Sequence, residues 1–95
     1  MEIKNIHTED RGSFIIEREG KQLAALTYNT CMPGILTIEH TEVSDELRGQ
    51  HIGQKLVASA VAFAIEKDLK INPICPFAHA VLKKNNEYKI LLIEE

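Results

Sequence analysis

Hydrophobic and polar positions along this chain follow two different periods. From Ile3 to Thr41 apolar residues come in short, partly alternating runs broken by turn residues, the pattern of half-buried strands. Ile3 to His7 predicts a short edge strand, and Glu9-Asp10-Arg11-Gly12 reads as a turn. Ser13 to Glu17, with Phe14-Ile15-Ile16 inside it, predicts a second strand. Arg18-Glu19-Gly20-Lys21 suits a hairpin connection because Gly20 is free to take positive φ. Gln22 to Thr30 is then the partner strand. Leu23-Ala24-Ala25-Leu26 alone has helical propensity, but the flanking turns and Thr27-Tyr28 favour a strand. After a turn at Met32-Pro33-Gly34 comes the β-branched run Ile35 to Val43. Strict alternation puts Leu36, Ile38 and His40 on one face and Thr37, Glu39 and Thr41 on the other.

From Ile52 the period lengthens. Ile52, Leu56, Val57, Ala60, Val61, Phe63 and Ala64 cover a wide arc of a helical wheel within Gln50 to Lys67, a width that suits a helix packed on a sheet. Lys70 to Ile74 predicts a short strand. A strand–helix–strand crossover makes it parallel to the strand before the helix. Pro76 suits a first helical position, which leaves Cys75 at the N-cap of a second helix that Asn85-Asn86 ends. Tyr88 to Ile93 predicts a last short strand. The expected fold class is α+β: one domain over residues 1–95 with a mixed, mostly antiparallel sheet and two helices.

Composition narrows the function classes. A 95-residue chain buries a modest share of its surface, so its stability margin is narrow. The 44% hydrophobic and 26% charged content is that of a globular fold. A net charge of −3 and a 5% aromatic content disfavour nucleic-acid partners, which call for a basic surface and stacking rings. No apolar run is long enough to span a bilayer, and Met1 to Asn5 begins no signal-peptide core, so no membrane partner is expected. Cys31 and Cys75 make no disulfide framework. The expected setting is cytoplasmic, with both thiols reduced.

The candidate chemistry centres on Val43 to Leu56, a strand end, a glycine-containing turn and a helix start. Such a turn aims unpaired N–H groups and the positive end of a helix dipole into one space, which favours phosphate oxygens. Gly49 and Gly53 allow close approach, and Arg48 and Lys55 add charge nearby. A plain connection is the other reading of these residues; neither G-x-x-x-x-G-K-S/T nor G-x-G-x-x-G is present. Cys75, at a strand end and a helix start, has a thiolate favoured by the dipole; a small buried apolar residue is the alternative. His40 is a candidate base, because imidazole as a side-chain type suits proton transfer near neutral pH; Glu39 and Glu42 are others. Cys75 and His79 have half the spacing of a metal site, but no second half is found and no metal is expected. Lys83 and Lys84 either complement the end of their helix or meet a nucleotide phosphate.

The segment Arg48-Gly49-Gln50-His51-Ile52-Gly53, with Leu56 after it, resembles the acyl-CoA pyrophosphate loop of the GNAT N-acetyltransferases, Gln/Arg-x-x-Gly-x-Gly/Ala. Arg48 and Gly53 match; His51 stands in place of the middle glycine. In length and in Ile71-Asn72-Pro73-Ile74-Cys75-Pro76-Phe77 the chain is similar to the very small, single-domain, YjdJ-type branch of that family, over nearly its whole length. The resemblance implies a compact GNAT-like fold whose strand before the loop splays from the next parallel strand. Acetyl-CoA would then be cosubstrate, its pantetheine arm along Thr41, Glu42 and Val43 and its pyrophosphate on the N–H groups of Arg48, Gly49, Gln50, His51, Ile52 and Gly53. An amine attacks the thioester, aided by proton removal and carbonyl polarisation. His40, Glu42 and Cys75 are the residues expected at the chemistry, Cys75 touching the thioester or taking the acyl group itself; Tyr88 is a further proton donor. The implied activity is N-acetylation of an unidentified amine, on a small molecule or a protein, by direct attack or through a cysteine. The chain is too short for the helices that shape the acceptor pocket in larger members, which points to a large, exposed acceptor. The alternative is a non-catalytic acyl-CoA-binding or protein-interaction module. A monomer or weak dimer is expected.

Overall fold

A computed structural model describes residues 2–93. Five strands form one sheet in sequential order: β1 (Lys4–Thr8), β2 (Arg11–Arg18), β3 (Lys21–Asn29), β4 (Ile35–Val43) and β5 (Lys70–Pro73). β1 to β4 are antiparallel neighbours, and β5 runs parallel to β4. A 3₁₀ turn (Asp45–Leu47) and helix α1 (Ile52–Glu66) connect β4 to β5, and α2 (Pro76–Lys84) and α3 (Asn86–Lys89) follow. The Glu19-Gly20 connection has both residues at positive φ (53° and 78°), the conformation that matches the twist of a two-residue hairpin.

Two of the expected elements change. The turn before β2 is only Glu9-Asp10; Arg11 and Gly12 already pair with Thr8 and His7. The tail is not a strand from Tyr88 to Ile93 but a third, short helix (Asn86–Lys89), followed by an isolated bridge, Ile71 to Leu92. Asn85 decides this. Its side-chain oxygen accepts from the N–H groups of Glu87 (2.8 Å) and Tyr88 (3.3 Å), an N-cap that starts a new helix. Tyr88 is therefore packed against the core from α3.

The helices pack on one face of the sheet. Phe14, Ile16, Leu26, Tyr28, Leu36 and Ile38 meet Leu56, Val57, Ala60 and Ala64 of α1 and Ala78 and Leu82 of α2 in one cluster. Each large aliphatic side chain taken fully out of water there contributes about 1.5–3 kcal/mol. α1 ends where Asp68 takes a left-handed φ of 58° and Leu69 donates to the Ala64 carbonyl at 2.7 Å, a Schellman closure that turns the chain into β5.

The register of β4 matters most for the site. Thr27 pairs with His40 while Tyr28 pairs with Ile38, so Glu39 is an extra residue, a β-bulge. A bulge reverses the alternation beyond it. Strict alternation would put His40 with Leu36 and Ile38; instead His40 and Glu42 share the helix-free face with Thr27 and Ala25. Thr41 and Val43 move to the helix side, opposite Leu26 and Ala24.

Candidate functional site

β4 and β5 pair only from Ile35 to Ile38. There the Ile38 carbonyl accepts from both Ile74 (3.0 Å) and Cys75 (3.2 Å), and the chain turns away into α2. β4 continues from Glu39 to Val43 paired with β3 on one edge, and among the described residues no strand pairs its other edge there. Ser44 donates to the Leu23 carbonyl at 2.7 Å, which sets the phase of the β3–β4 ladder. Bonds alternate along an antiparallel pair, so Thr41 and Val43 turn their main-chain N–H and C=O into the gap. Glu42 does not. Its main chain belongs to the ladder with Ala25, which corrects its place on the pantetheine edge.

Beyond the gap lies the loop. Ser44 caps the 3₁₀ turn by accepting from Glu46 N–H. The Arg48 N–H donates to the Asp45 carbonyl (3.1 Å) and its guanidinium pairs with the Asp45 carboxylate (2.6 Å). Arg48 is thus already bonded inside the turn, against the expectation that its N–H opens the phosphate row. The row begins one residue later. No internal acceptor takes the N–H groups of Gly49, Gln50, His51, Ile52, Gly53 or Gln54 among the described residues; the first helical bond is Lys55 to the His51 carbonyl, 3.1 Å. These are the orphan donors of a helix start and the loop before it.

Each glycine-like position has its own cause. Gly49 has φ of 83° with open space around it. His51 sits at φ 56°, ψ 36° as the N-cap of α1 and makes no side-chain capping bond. A left-handed conformation costs a non-glycine residue about 1–2 kcal/mol, so histidine here carries strain that glycine would not. Gly53 is helical, and a Cβ on it would stand 2.6 Å from the Phe77 ring: glycine lets α2 bring that ring down onto the loop.

The resulting cleft holds about 270 Å³ between Thr41 and Val43 on one side and Arg48, Gly49, His51, Ile52 and Gly53 on the other. Gln50 does not line it. Leu47, Gln54 and Phe77 do, and only tertiary packing could reveal them, since nothing local distinguishes them from ordinary core or surface residues.

Cys75 is buried at the N-cap of α2, at the inner end of the gap. Its Sγ lies 3.5 Å from Oγ1 of Thr41. Burial pushes the thiol up. The Thr41 hydroxyl and the N–H groups of Ala78, Phe77 and Thr41 outweigh it and hold the thiol below its ordinary range. Exposed Cys31 is shifted the other way, by its hydrogen bond to Asp10. Alkylation of Cys75 by iodoacetamide should therefore follow a thiolate titration lower than that of Cys31. Thr41→Val removes a donor to the thiolate, and should move the Cys75 midpoint upward and slow its labelling at neutral pH. Peptide mass mapping across a pH series reads both; an unmoved midpoint contradicts the role given to Thr41.

His40 and Glu42 form a pair on the helix-free face, Nε2 to Oε2 at 3.1 Å, with side chains 65% and 70% exposed. They flank the gap from the side opposite Cys75. Glu39 is held elsewhere, by Asn29 (2.7 Å) and Arg11 (3.9 Å). The structure thus joins His40 with Glu42 and Cys75 with Thr41, on the two sides of one strand. Among the described residues no group of three or more His, Cys, Asp or Glu could hold a metal ion.

A family model described as GCN5-related N-acetyl-transferase matches residues 13–91. The human protein NATD1 is 32% identical over 80 residues, covering 83% of this chain and 71% of its own. The solution structure of a GCN5-like protein from Staphylococcus aureus superposes with a TM-score of 0.73 at 36% identity, covering 99% of this chain and 89% of that one. Tetrahymena GCN5 shares the fold at 12% identity, with a TM-score of 0.64 over 93% of this chain and 63% of its own.

Proposed function

This chain belongs to the GCN5-related N-acetyltransferase family, and on that premise we propose that it transfers an acetyl group from acetyl-CoA to an amine. The carrying observation is the continuity of the free β4 edge at Thr41 and Val43 with the unbonded N–H groups from Gly49 to Gln54. The first suits the amides of a pantetheine arm, the second a pyrophosphate. The thioester then lies near the inner end of the gap, with Cys75 on the helix side and the His40–Glu42 pair on the other.

In direct transfer the amine nitrogen bonds to the thioester carbonyl carbon, the carbon–sulfur bond breaks, and the coenzyme leaves as thiolate. The proton shed by nitrogen passes to the His40–Glu42 pair, and the thiolate is protonated on release. One observation favours a second route: the lowered Cys75 thiol, which could take the acyl group first and pass it to the amine. Acyl mass on Cys75 after acid quenching distinguishes the two routes.

Titration with acetyl-CoA, followed by backbone amide shifts, tests the reading. The largest changes are expected at Thr41, Val43 and Gly49 to Gln54, with Arg48 moving less because its N–H is occupied. Saturating coenzyme without shifts in that set overturns the proposal.

A further inference from the structure

Beside the His40–Glu42 pair, on the helix-free face of the sheet, lies a hollow of about 240 Å³ lined by residues 22–25 of β3 and 42–44. The register decides which side chains face it. Ile16 belongs to the core cluster, so its neighbours Ile15 and Glu17 point to the other face. Ala25 pairs with Ile15 and with Glu42, and Gln22 pairs with Glu17; paired residues share a face. Gln22, Ala25 and Glu42 therefore turn their side chains to the hollow. Leu23 and Ala24 sit in the core and present only main chain to it. Leu23 is the extra residue of a bulge, because Ile16 pairs with Ala24 while Glu17 pairs with Gln22. The space exists because the bulge commits Leu23 to the core and because the next residue facing outward is an alanine.

Glu42 belongs to two features at once. It is the partner of His40 at 3.1 Å and a wall of the hollow. The gap that receives the thioester opens at the far edge of β4. A molecule seated over Ala25 therefore crosses one strand, about 5 Å, to bring a nitrogen to the gap, and it crosses at the His40–Glu42 pair. That reach is an arm of about four bonds. The rim is polar. The Gln22 amide donates and accepts, and the Ser44 hydroxyl, which accepts from Glu46 N–H at 3.2 Å, can also donate. Glu42 disfavours an anion there. An apolar group would leave these rim groups without partners.

We propose that this hollow seats the acceptor, and that the acceptor is a primary amine whose short chain carries a second hydrogen-bonding group, neutral or cationic: an amino alcohol or a diamine. Resting on the acetyl transfer proposed above, this names the class of amine. Ala25 sets the size of the group admitted, and Gln22 holds it.

Steady-state acetylation of four amines of equal reach decides it: 3-aminopropanol, 1,3-diaminopropane, β-alanine and butylamine. The first two should exceed the anionic and the apolar analogue in kcat/KM by about tenfold or more. Ala25→Leu fills the hollow and should raise KM for the accepted amines about tenfold, with kcat and acetyl-CoA affinity nearly unchanged. Gln22→Ala should shrink the preference for 3-aminopropanol over butylamine, an effect that a merely structural role would not produce. Equal use of all four amines, or an unchanged amine KM in Ala25→Leu together with an unchanged preference in Gln22→Ala, overturns the assignment while leaving acetyl transfer intact. So does a native chain that acetylates a lysine peptide but none of the four. Acetylation of neither the four nor the peptide overturns the transfer and this inference together.

Discussion

Replacing Gly12 with alanine is expected to destabilise the protein by about 2–3 kcal/mol, seen as a lower urea midpoint with an unchanged slope. Gly12 lies in β2, opposite His7 on one side and Tyr28 on the other. A Cβ there would strike the Tyr28 hydroxyl and ring and stand 2.8 Å from the Ile6 carbonyl oxygen. Neither neighbour yields easily. The carbonyl is main chain, held within the sheet. Tyr28 is 1% exposed and its ring is packed against Phe14, Phe63 and His7. Asn5 donates to its hydroxyl at 2.9 Å, and Nδ1 of His7 lies 3.0 Å from the same oxygen. Relief therefore means pushing β1 off the sheet or breaking an aromatic cluster. In a domain of this size the whole stability is only several kcal/mol, so the change should be conspicuous. An unchanged midpoint would mean that the Tyr28 ring moves freely, contrary to its contacts.

The same glycine shows where the sequence could be read and where it could not. Beside Arg11 it looks like part of a turn, because glycine has no side chain whose pattern could place it in a strand. Its real constraint is a ring from a strand that pairs with it much later in the chain. Local chemistry did foretell much: positive φ at Gly20, Pro76 opening α2 with Cys75 at its cap, the apolar arc of α1, and the parallel return of β5. These signals depend on neighbours within a few residues. The bulge at Glu39 has no such signal. It arises from how β4 fits β3, and it reassigns every side chain from His40 to Val43. That is why alternation puts His40 on the core face and why Glu42 looks as suited to the pantetheine edge as Thr41. The loop was legible as a helix start with free donors, yet its first donor is not Arg48, because the 3₁₀ turn consumes that N–H. Asn85 could be read as a helix end but not as the cap of the next helix; the two roles use the same residue.

With reversed alternation, the residues proposed for the chemistry fall on both faces of β4, and this fixes the second large expectation. His40→Ala and Glu42→Gln should each lower kcat for amine acetylation by about 10²–10³-fold, with KM for acetyl-CoA nearly unchanged. The reason is positional. Both side chains lie on the helix-free face, away from the cleft lined by Thr41, Val43 and the loop, so removing them leaves the coenzyme contacts in place. Both are exposed and bonded chiefly to each other at 3.1 Å, so folding should not suffer. On the proposed mechanism, their loss removes only the group that accepts the proton from the incoming nitrogen. Added imidazole should restore part of the rate of His40→Ala, which a structural role would not allow. Thr41→Val should behave differently: it touches the cleft and the Cys75 sulfur, so acetyl-CoA binding and turnover should change together. Full activity in both His40→Ala and Glu42→Gln would place the proton acceptor elsewhere. A native chain that binds acetyl-CoA but acetylates no amine would make the pair a surface contact and the protein a coenzyme-binding module.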